Sequence, residues 1–295
     1  MSTLTTAPVT LERPLVERSR WQQIRRLARR NPTLVVGVVL VALVILVGVI
    51  GPFVAPYAPN LQNYEGAVQP PSLAHVLGTD KFGRDQLSRV LFGARIDLAL
   101  GIVTALVPLA IGVAIGAVAG FYGGWVDTIF MRIIEIQVAF PFYVLLIAIL
   151  AILGPGLLNM YYALILVGWV AFARLIRGEV LVAKNLEYAV AARTLGCSDR
   201  RIILRHLLPN VIGPALIFAM SVVVFNILAG AALGFLGLGV QPPTPEWGSM
   251  VADSREFMTS AWWLPAFPGL AIAIVGVAFS VLGDGLSNVL RGGTR

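Results

Sequence analysis

Six long apolar stretches constrain this chain more than any other feature. They cover about 34–54, 98–120, 133–153, 161–181, 211–233 and 266–290. A helix that crosses the roughly 30 Å hydrocarbon layer needs about 20 mostly apolar residues. In lipid the backbone must satisfy its own hydrogen bonds, and a helix does that within one segment. The expectation is therefore an all-α, polytopic bundle of six transmembrane helices. Composition agrees: 58% of the 295 residues are hydrophobic and 13% charged, with a mean hydropathy of +0.84. A soluble domain has about 45–50% apolar and about 25% charged residues. Pro141 and Arg174 interrupt or bound the third and fourth stretches. Neighbouring helices can satisfy the backbone groups that a proline frees.

The first stretch exceeds the roughly 7–15-residue core of a secretory signal and runs into Pro52, Pro56 and Pro59. It reads as a retained anchor, with a cleaved signal as the alternative. Charge then orients the bundle. Seventeen of the 22 Lys and Arg residues fall on one side: Arg13, Arg18, Arg20, Arg25, Arg26, Arg29 and Arg30 before the first span, Arg132, seven from Arg174 to Arg205, and Arg291 and Arg295 at the end. The other side has Lys81, Arg84, Arg89, Arg95 and Arg255. The positive-inside rule puts both termini in the cytoplasm. The expected layout is a basic cytoplasmic segment 1–33, a transmembrane region 34–290 and a cytoplasmic tail 291–295. Loop 55–97 is then extracytoplasmic and loop 182–210 cytoplasmic. Within residues 18–30, Trp21, Ile24 and Leu27 recur at helical spacing among arginines. Either a helix on the anionic inner leaflet or a basic tail fits this pattern.

Several functions lack their residues. Neither lysine follows a glycine-rich stretch, so no GxxxxGK[ST] phosphate loop exists and the chain does not hydrolyse ATP through one. Cys197 is the single cysteine, and His75 and His206 form no HExxH, which leaves no metal-ligand or disulfide pattern. The net charge of +7 flanks the apolar runs instead of forming a nucleic-acid stripe. Asp284, in Gly283-Asp284-Gly285, reads as a helix-end carboxylate reaching water, and Arg132 with Glu135 as a local i, i+3 ion pair. With no carboxylate pair in the apolar cores, the energy for transport is expected from elsewhere. No cofactor or metal is expected in this chain.

The most informative segment is 187–210. Ala189 to Leu195 favours helix, Gly196 is placed as a C-terminal stop, and Ser198 and Asp199 as caps for a second short helix. That helix would present Ile202, Ile203 and Leu207 on one side and Arg200, Arg201 and Arg205 on another, with Pro209 ending it. An amphipathic hairpin on the basic side suits docking by a cytoplasmic partner. Gly112, Gly116 and Gly120 form a small-xxx-small ridge in the second span. It serves either tight packing near a pathway or ordinary bundle packing. In 79–95, Thr79 or Asp80 is placed to cap a helix with Arg84, Asp85 and Arg89 facing water. That helix either supports the second span or meets an external partner.

Ala191-Ala192, three residues, Gly196, nine residues, then His206-Leu207-Leu208-Pro209 resembles the E-A-A-x3-G-x9-I-x-L-P loop of binding-protein-dependent ABC transporter permeases. Val190 replaces the glutamate and His206 the isoleucine; Arg205 to Asn210 matches the ending common in the peptide branch. Gly78-Thr79-Asp80 with Gly83-Arg84-Asp85 and Ser88-Arg89 resembles a segment of the dipeptide, oligopeptide and nickel permeases. So do Phe235 to Gly239, Gln241-Pro242-Pro243, Glu246-Trp247-Gly248 and Leu282 to Leu286. The resemblance covers about 20–292 and points to the second permease subunit of that branch. It implies a type I ABC importer permease fold in a bacterial inner membrane. It also implies a non-catalytic transport subunit whose loop fits a cleft on an ATPase through Glu187, Ala191, Ala192, Gly196, Ser198, Asp199, Arg201, Arg205, His206, Leu208 and Pro209. The implied partners are a homologous permease, two ATPase subunits that bind ATP and magnesium, and an extracytoplasmic substrate-binding protein. The implied cargo is a dipeptide or oligopeptide. A stand-alone secondary transporter is the rival reading, and an intramembrane enzyme a further one.

Overall fold

The computed structural model describes residues 29–292. The expected basic segment at the N-terminus thus lies almost wholly outside the described residues. In chain order the helices are α1 (Pro32–Val54), α2 (Gln86–Tyr122), α3 (Gly124–Val138), α4 (Phe142–Leu153), α5 (Leu157–Ala183), α6 (Glu187–Thr194), α7 (Asp199–Phe235), α8 (Trp247–Asp253) and α9 (Trp263–Gly292). Short 3-10 turns lie at Tyr64–Gly66 and Arg255–Phe257. Among the described residues the only β pairing is an isolated bridge between Thr79 and Asp85.

Among the described residues four helices are long and apolar enough to cross a membrane: α1, α2, α7 and α9. The pair α3 and α4 makes a fifth if it is one span. The stretch expected as the fourth span forms the 27-residue helix α5, which carries Arg174, Arg177 and Glu179 and is not among these. The stretch expected as the third span is two helices bent by 87° at residues 139–141. Pro141 explains the break, because its ring disfavours helical backbone at Phe140 and it has no N–H to give to an earlier turn.

α2 and α7 each have 37 residues, about 55 Å at 1.5 Å per residue, well beyond the hydrocarbon thickness. Both carry their charged residues in their N-terminal third. α2 starts earlier than the apolar run because Asp85, rather than Thr79 or Asp80, caps it; its carboxylate accepts from the Ser88 amide at 2.8 Å. α7 starts at Asp199 and passes through a π-helical turn, Ile202–Leu207, into the long apolar helix. Pro209 therefore does not end the second helix of the hairpin. The wider turn, with the Leu208 N–H reaching back to the Ile203 carbonyl, accommodates a residue that cannot donate an i→i−4 bond.

α2 runs through the middle of the bundle against α5, α7 and α1, and α9 packs on α1 and α7. The glycine ridge is the seam between α2 and α5. A Cβ on Gly112 would lie 2.5 Å from the Phe172 Cβ, and one on Gly116 2.5 Å from the Ala173 carbonyl oxygen. The ridge is thus a packing surface within this chain. The Gly283-Asp284-Gly285 segment does the same for α1: Gly285 abuts Leu34, and Gly37 abuts Leu282, with no room for a side chain at either. Asp284 between them is exposed, as expected of a carboxylate reaching water. α1 turns Val38, Val39, Leu43 and Leu46 outward, a face suited to lipid.

Candidate functional site

Helix α6 and the first turns of α7 form a protruding knob. α6 ends in a Schellman arrangement: the Cys197 N–H bonds the Ala192 carbonyl at 3.1 Å and the Gly196 N–H the Arg193 carbonyl at 3.0 Å. Gly196 sits at φ +71°, the left-handed conformation that glycine adopts without penalty, so it is the stop that its place in the sequence indicates. Ser198 occupies the N-cap position of α7, but its side chain makes no capping bond.

The knob has two faces. Ala189, Ala192, Ile202, Ile203 and Leu207 are buried against Phe121, Val180 and Val211 and root it in the bundle. Outside are Glu187, Ala191, Ser198, Asp199, Arg200, Arg201, Arg205 and Pro209, with His206 and Leu208 half-buried. Three apolar side chains join the arginines on this outer face: Leu195 is 83% exposed, Leu204 51% and Val190 50%. Apolar and cationic side chains thus share this outer face. The sequence pattern pointed to the arginines but not to Leu195, which precedes the break at Gly196, or to Leu204, which lies one helical turn from Arg200 and Arg201.

One ion pair and one charged hydrogen bond hold the knob's base. Arg177 on α5 makes a two-pronged bond to Asp127 on α3, at 2.5 and 2.6 Å. Lys184 at the end of α5 donates to the Gly120 carbonyl at 2.8 Å, placing a cation on the C-terminal end of α2. Neither pair is legible in the sequence, since the partners lie 50 and 64 residues apart. The Arg132–Glu135 pair forms at 2.7 Å on the exposed face of α3, as its spacing suggests.

At the opposite end, the Gly78-Thr79-Asp80 and Gly83-Arg84-Asp85 residues make a buried polar latch. The Asp80 carboxylate accepts from the Phe82 and Arg84 amides and from Arg84 Nε at 2.6 Å. Asp85 holds Ser88 with one oxygen and His75 Nδ1 with the other, at 2.9 Å. Thr79 Oγ1 donates to the Gly66 carbonyl. Arg89 donates to the Pro59 carbonyl at 3.0 Å. Gly83, at φ +70°, lies so close to the Asn63 carbonyl that a Cβ would overlap it. Arg84, Asp85 and Arg89, expected to face water, are each 3% exposed. Loop 55–85 folds back over them, and a guanidinium under such a cover is stable only when paired.

Two features extend the latch to the C-terminal third. Lys81 pairs with Asp253 on α8 at 3.0 Å, and Gln86 donates to the Leu264 carbonyl. Glu246 caps α8 through the Gly248 and Ser249 amides. Trp247, next to it, donates its backbone N–H to Asp97 and its indole N–H to the Val90 carbonyl on α2. Burial pushes the Glu246 carboxyl above its ordinary value, against the opposing pull of the Ser249 and Gly248 amides.

Between the two ends lies a cavity of about 450 Å³, bordered by the break at Phe140 and Pro141, by Arg174 on α5, and by Phe218, Phe225 and Asn226 on α7. Sequence reading flagged Pro141 and Arg174 only as interruptions of spans.

A bundle of long apolar helices with a basic, apolar-tipped knob at one end and a folded latch at the other is the architecture of a membrane protein. The chain belongs to the family of binding-protein-dependent transport system inner membrane components, whose model matches residues 112–295. A second model, the N-terminal TM domain of oligopeptide transport permease C, matches residues 19–71. Among curated relatives it is 40% identical to the dipeptide transport system permease protein DppC of Alkalihalophilus pseudofirmus, over 92% of this chain and 90% of that one. It is 41% identical to the glutathione transport system permease protein GsiD of Pectobacterium atrosepticum, over 97% and 95%. A chain of the methionine ABC transporter MetNI in inward facing conformations shares the fold, with a TM-score of 0.55 and 21% identity over 70% of this chain and 97% of that one. The chain is thus a permease of the inner membrane, a non-catalytic component that works with other transporter subunits.

Proposed function

We propose that this chain forms one half of the translocation pathway of an ATP-driven importer of dipeptides or oligopeptides. It pairs with a homologous permease, receives cargo from an extracytoplasmic binding protein, and docks ATPase subunits through residues 187–209. ATP and magnesium are bound by those subunits. The chain crosses the membrane six times, with α3–α4 as one bent crossing and α5 as another, and both termini are cytoplasmic.

The observation that carries this reading is the knob. Its buried face is continuous with the bundle core, while its outer face combines Leu195 and Leu204 with Arg200, Arg201 and Arg205. Closure of paired ATPases would move such a knob as a unit and transmit the motion along α7, which runs unbroken from Asp199 into the membrane. A ligand-driven change of state requires contacts that differ between the two states, and this rigidly rooted surface is placed to make them. Val190, where the family pattern has glutamate, adds an apolar contact and removes a charge. The names of the curated relatives, for dipeptides and glutathione, support a peptide cargo.

The test is co-expression with the neighbouring genes and purification through a tag on this chain. A second permease and ATPases in stoichiometric amounts, with peptide uptake in proteoliposomes that requires ATP, are the expected result. A chain that purifies alone and transports without ATP would replace this reading with a secondary transporter.

A further inference from the structure

The cavity beside the α3–α4 break combines three observations. First, non-helical backbone at membrane depth persists only where protein covers it or where it lines a water-filled space. Phe140 and Pro141 border the cavity, so the break opens onto it. Second, α4 begins at the break, and its first turn faces the cavity through Phe142 and Leu145. A helix N-terminus carries partial positive charge and unpaired N–H groups, and broken helices in transporters aim such ends at anionic groups. Third, Arg174 is the charged residue among those lining the cavity.

Arg174 differs from its neighbour Arg177. One turn along α5, Arg177 is locked to Asp127. Among the described residues Arg174 is exposed and meets no carboxylate or hydrogen-bond acceptor. Nine residues separate it from the end of α5, about 13 Å of helix, which sets it in the half of the bundle nearer the knob. On the reading above, in which α5 crosses the membrane, an unpaired cation on it marks a substrate or ion path. Asn226 gives its amide N–H groups to Thr104, and Gln137 gives one to the Val167 carbonyl. The volume is in the range of small-ligand sites, roughly 300–1,000 Å³.

We propose that Arg174 and the N-terminus of α4 form a contact site for the carboxylate of the cargo in the cytoplasmic half of the pathway, with Phe140, Phe218 and Phe225 taking its apolar side chain. This inference rests on the importer reading above and adds to it that the permease itself selects by charge. A guanidinium binds a carboxylate through two parallel N–H bonds.

The lone cysteine makes the test direct. In a Cys197→Ser background, Phe140→Cys introduces a single thiol into the cavity lining of the assembled transporter, held in inverted vesicles. Its labelling rates with an anionic sulfonatoethyl and a cationic trimethylammonioethyl thiosulfonate are compared. Both reagents should react, and the anionic-to-cationic rate ratio should fall about tenfold on Arg174→Gln and stay within about twofold on Arg174→Lys. Alanyl-phenylalanine should slow labelling severalfold, its C-terminal amide should not, and Arg174→Gln should remove the protection. A thiol that reacts with neither reagent, or a ratio unmoved by Arg174→Gln, overturns the proposal. Loss of the second permease from the Arg174→Gln complex also overturns it, by making Arg174 an interface residue. Failure of the unsubstituted chain to purify with ATPases is a separate result that removes the importer reading and this inference together.

Discussion

Replacing Gly196 with aspartate separates the knob's docking role from its folding. A Cβ at Gly196 meets nothing within 4 Å, so the substitution creates no clash. Its internal cost comes from the left-handed backbone at φ +71°, about 1–2 kcal/mol for a residue with a side chain, with aspartate among those that bear it best. Against this, the carboxylate gains up to about 1 kcal/mol from the arginines around it, as exposed pairs do. Folding and assembly should therefore survive. The effect falls on the outer face, where a further negative charge enters a surface that carries Arg193, Arg200, Arg201 and Arg205 beside Glu187 and Asp199. Each 1.4 kcal/mol lost from the contact difference between the two states costs a factor of about ten in coupling. In proteoliposomes, Gly196→Asp should lower peptide uptake at least about tenfold while ATP hydrolysis per complex stays within about twofold. Gly196→Ala carries the backbone cost without the charge and should retain uptake within about threefold. Normal uptake by Gly196→Asp at normal expression would refute the reasoning. Equal loss in both variants would move the cause from docking to the backbone of the turn.

Other substitutions probe the scaffold. Gly116→Val drives a side chain into the Ala173 carbonyl and should cost at least about 1–3 kcal/mol, seen as a lower unfolding midpoint in detergent. Asp80→Ala strands Arg84 beneath the loop cover and should cost about 3–5 kcal/mol, with expression level and protease resistance as the readout; wild-type resistance would show that the latch is dispensable. Glu246 has its folded value raised by burial, so its stabilising effect is full below the ordinary carboxyl value and is lost as pH rises through the raised one. The unfolding free energy should therefore decline as pH rises above the ordinary carboxyl range, by up to about 1.4 kcal/mol per pH unit, and Glu246→Gln should flatten that slope.

How much of this protein was legible in its sequence differs from feature to feature. Apolar run length and helix periodicity act locally, and they indicated an all-helical membrane chain, the approximate apolar cores, the Gly196 stop and the two faces of the second knob helix. The Arg132–Glu135 pair was readable for the same reason, because its partners share one helix turn. Pro209 misled, since a proline's missing N–H predicts a helix end when no π-turn is considered.

What the tertiary structure alone decided depends on residues far apart in the chain. Arg84, Asp85 and Arg89 look like solvent-facing charges at helical spacing, yet loop 55–85 closes over them and makes each a buried partner. The same holds for Arg177 with Asp127 and for Lys184 on the end of α2. Pro141 and Arg174 appeared in the sequence as defects in two spans, and the fold sets them on one cavity. Hydropathy is a property of each residue and its near neighbours, so it can place a helix in lipid. Which side of that helix a charge finds paired, covered or open to a cavity is set by the helices packed against it.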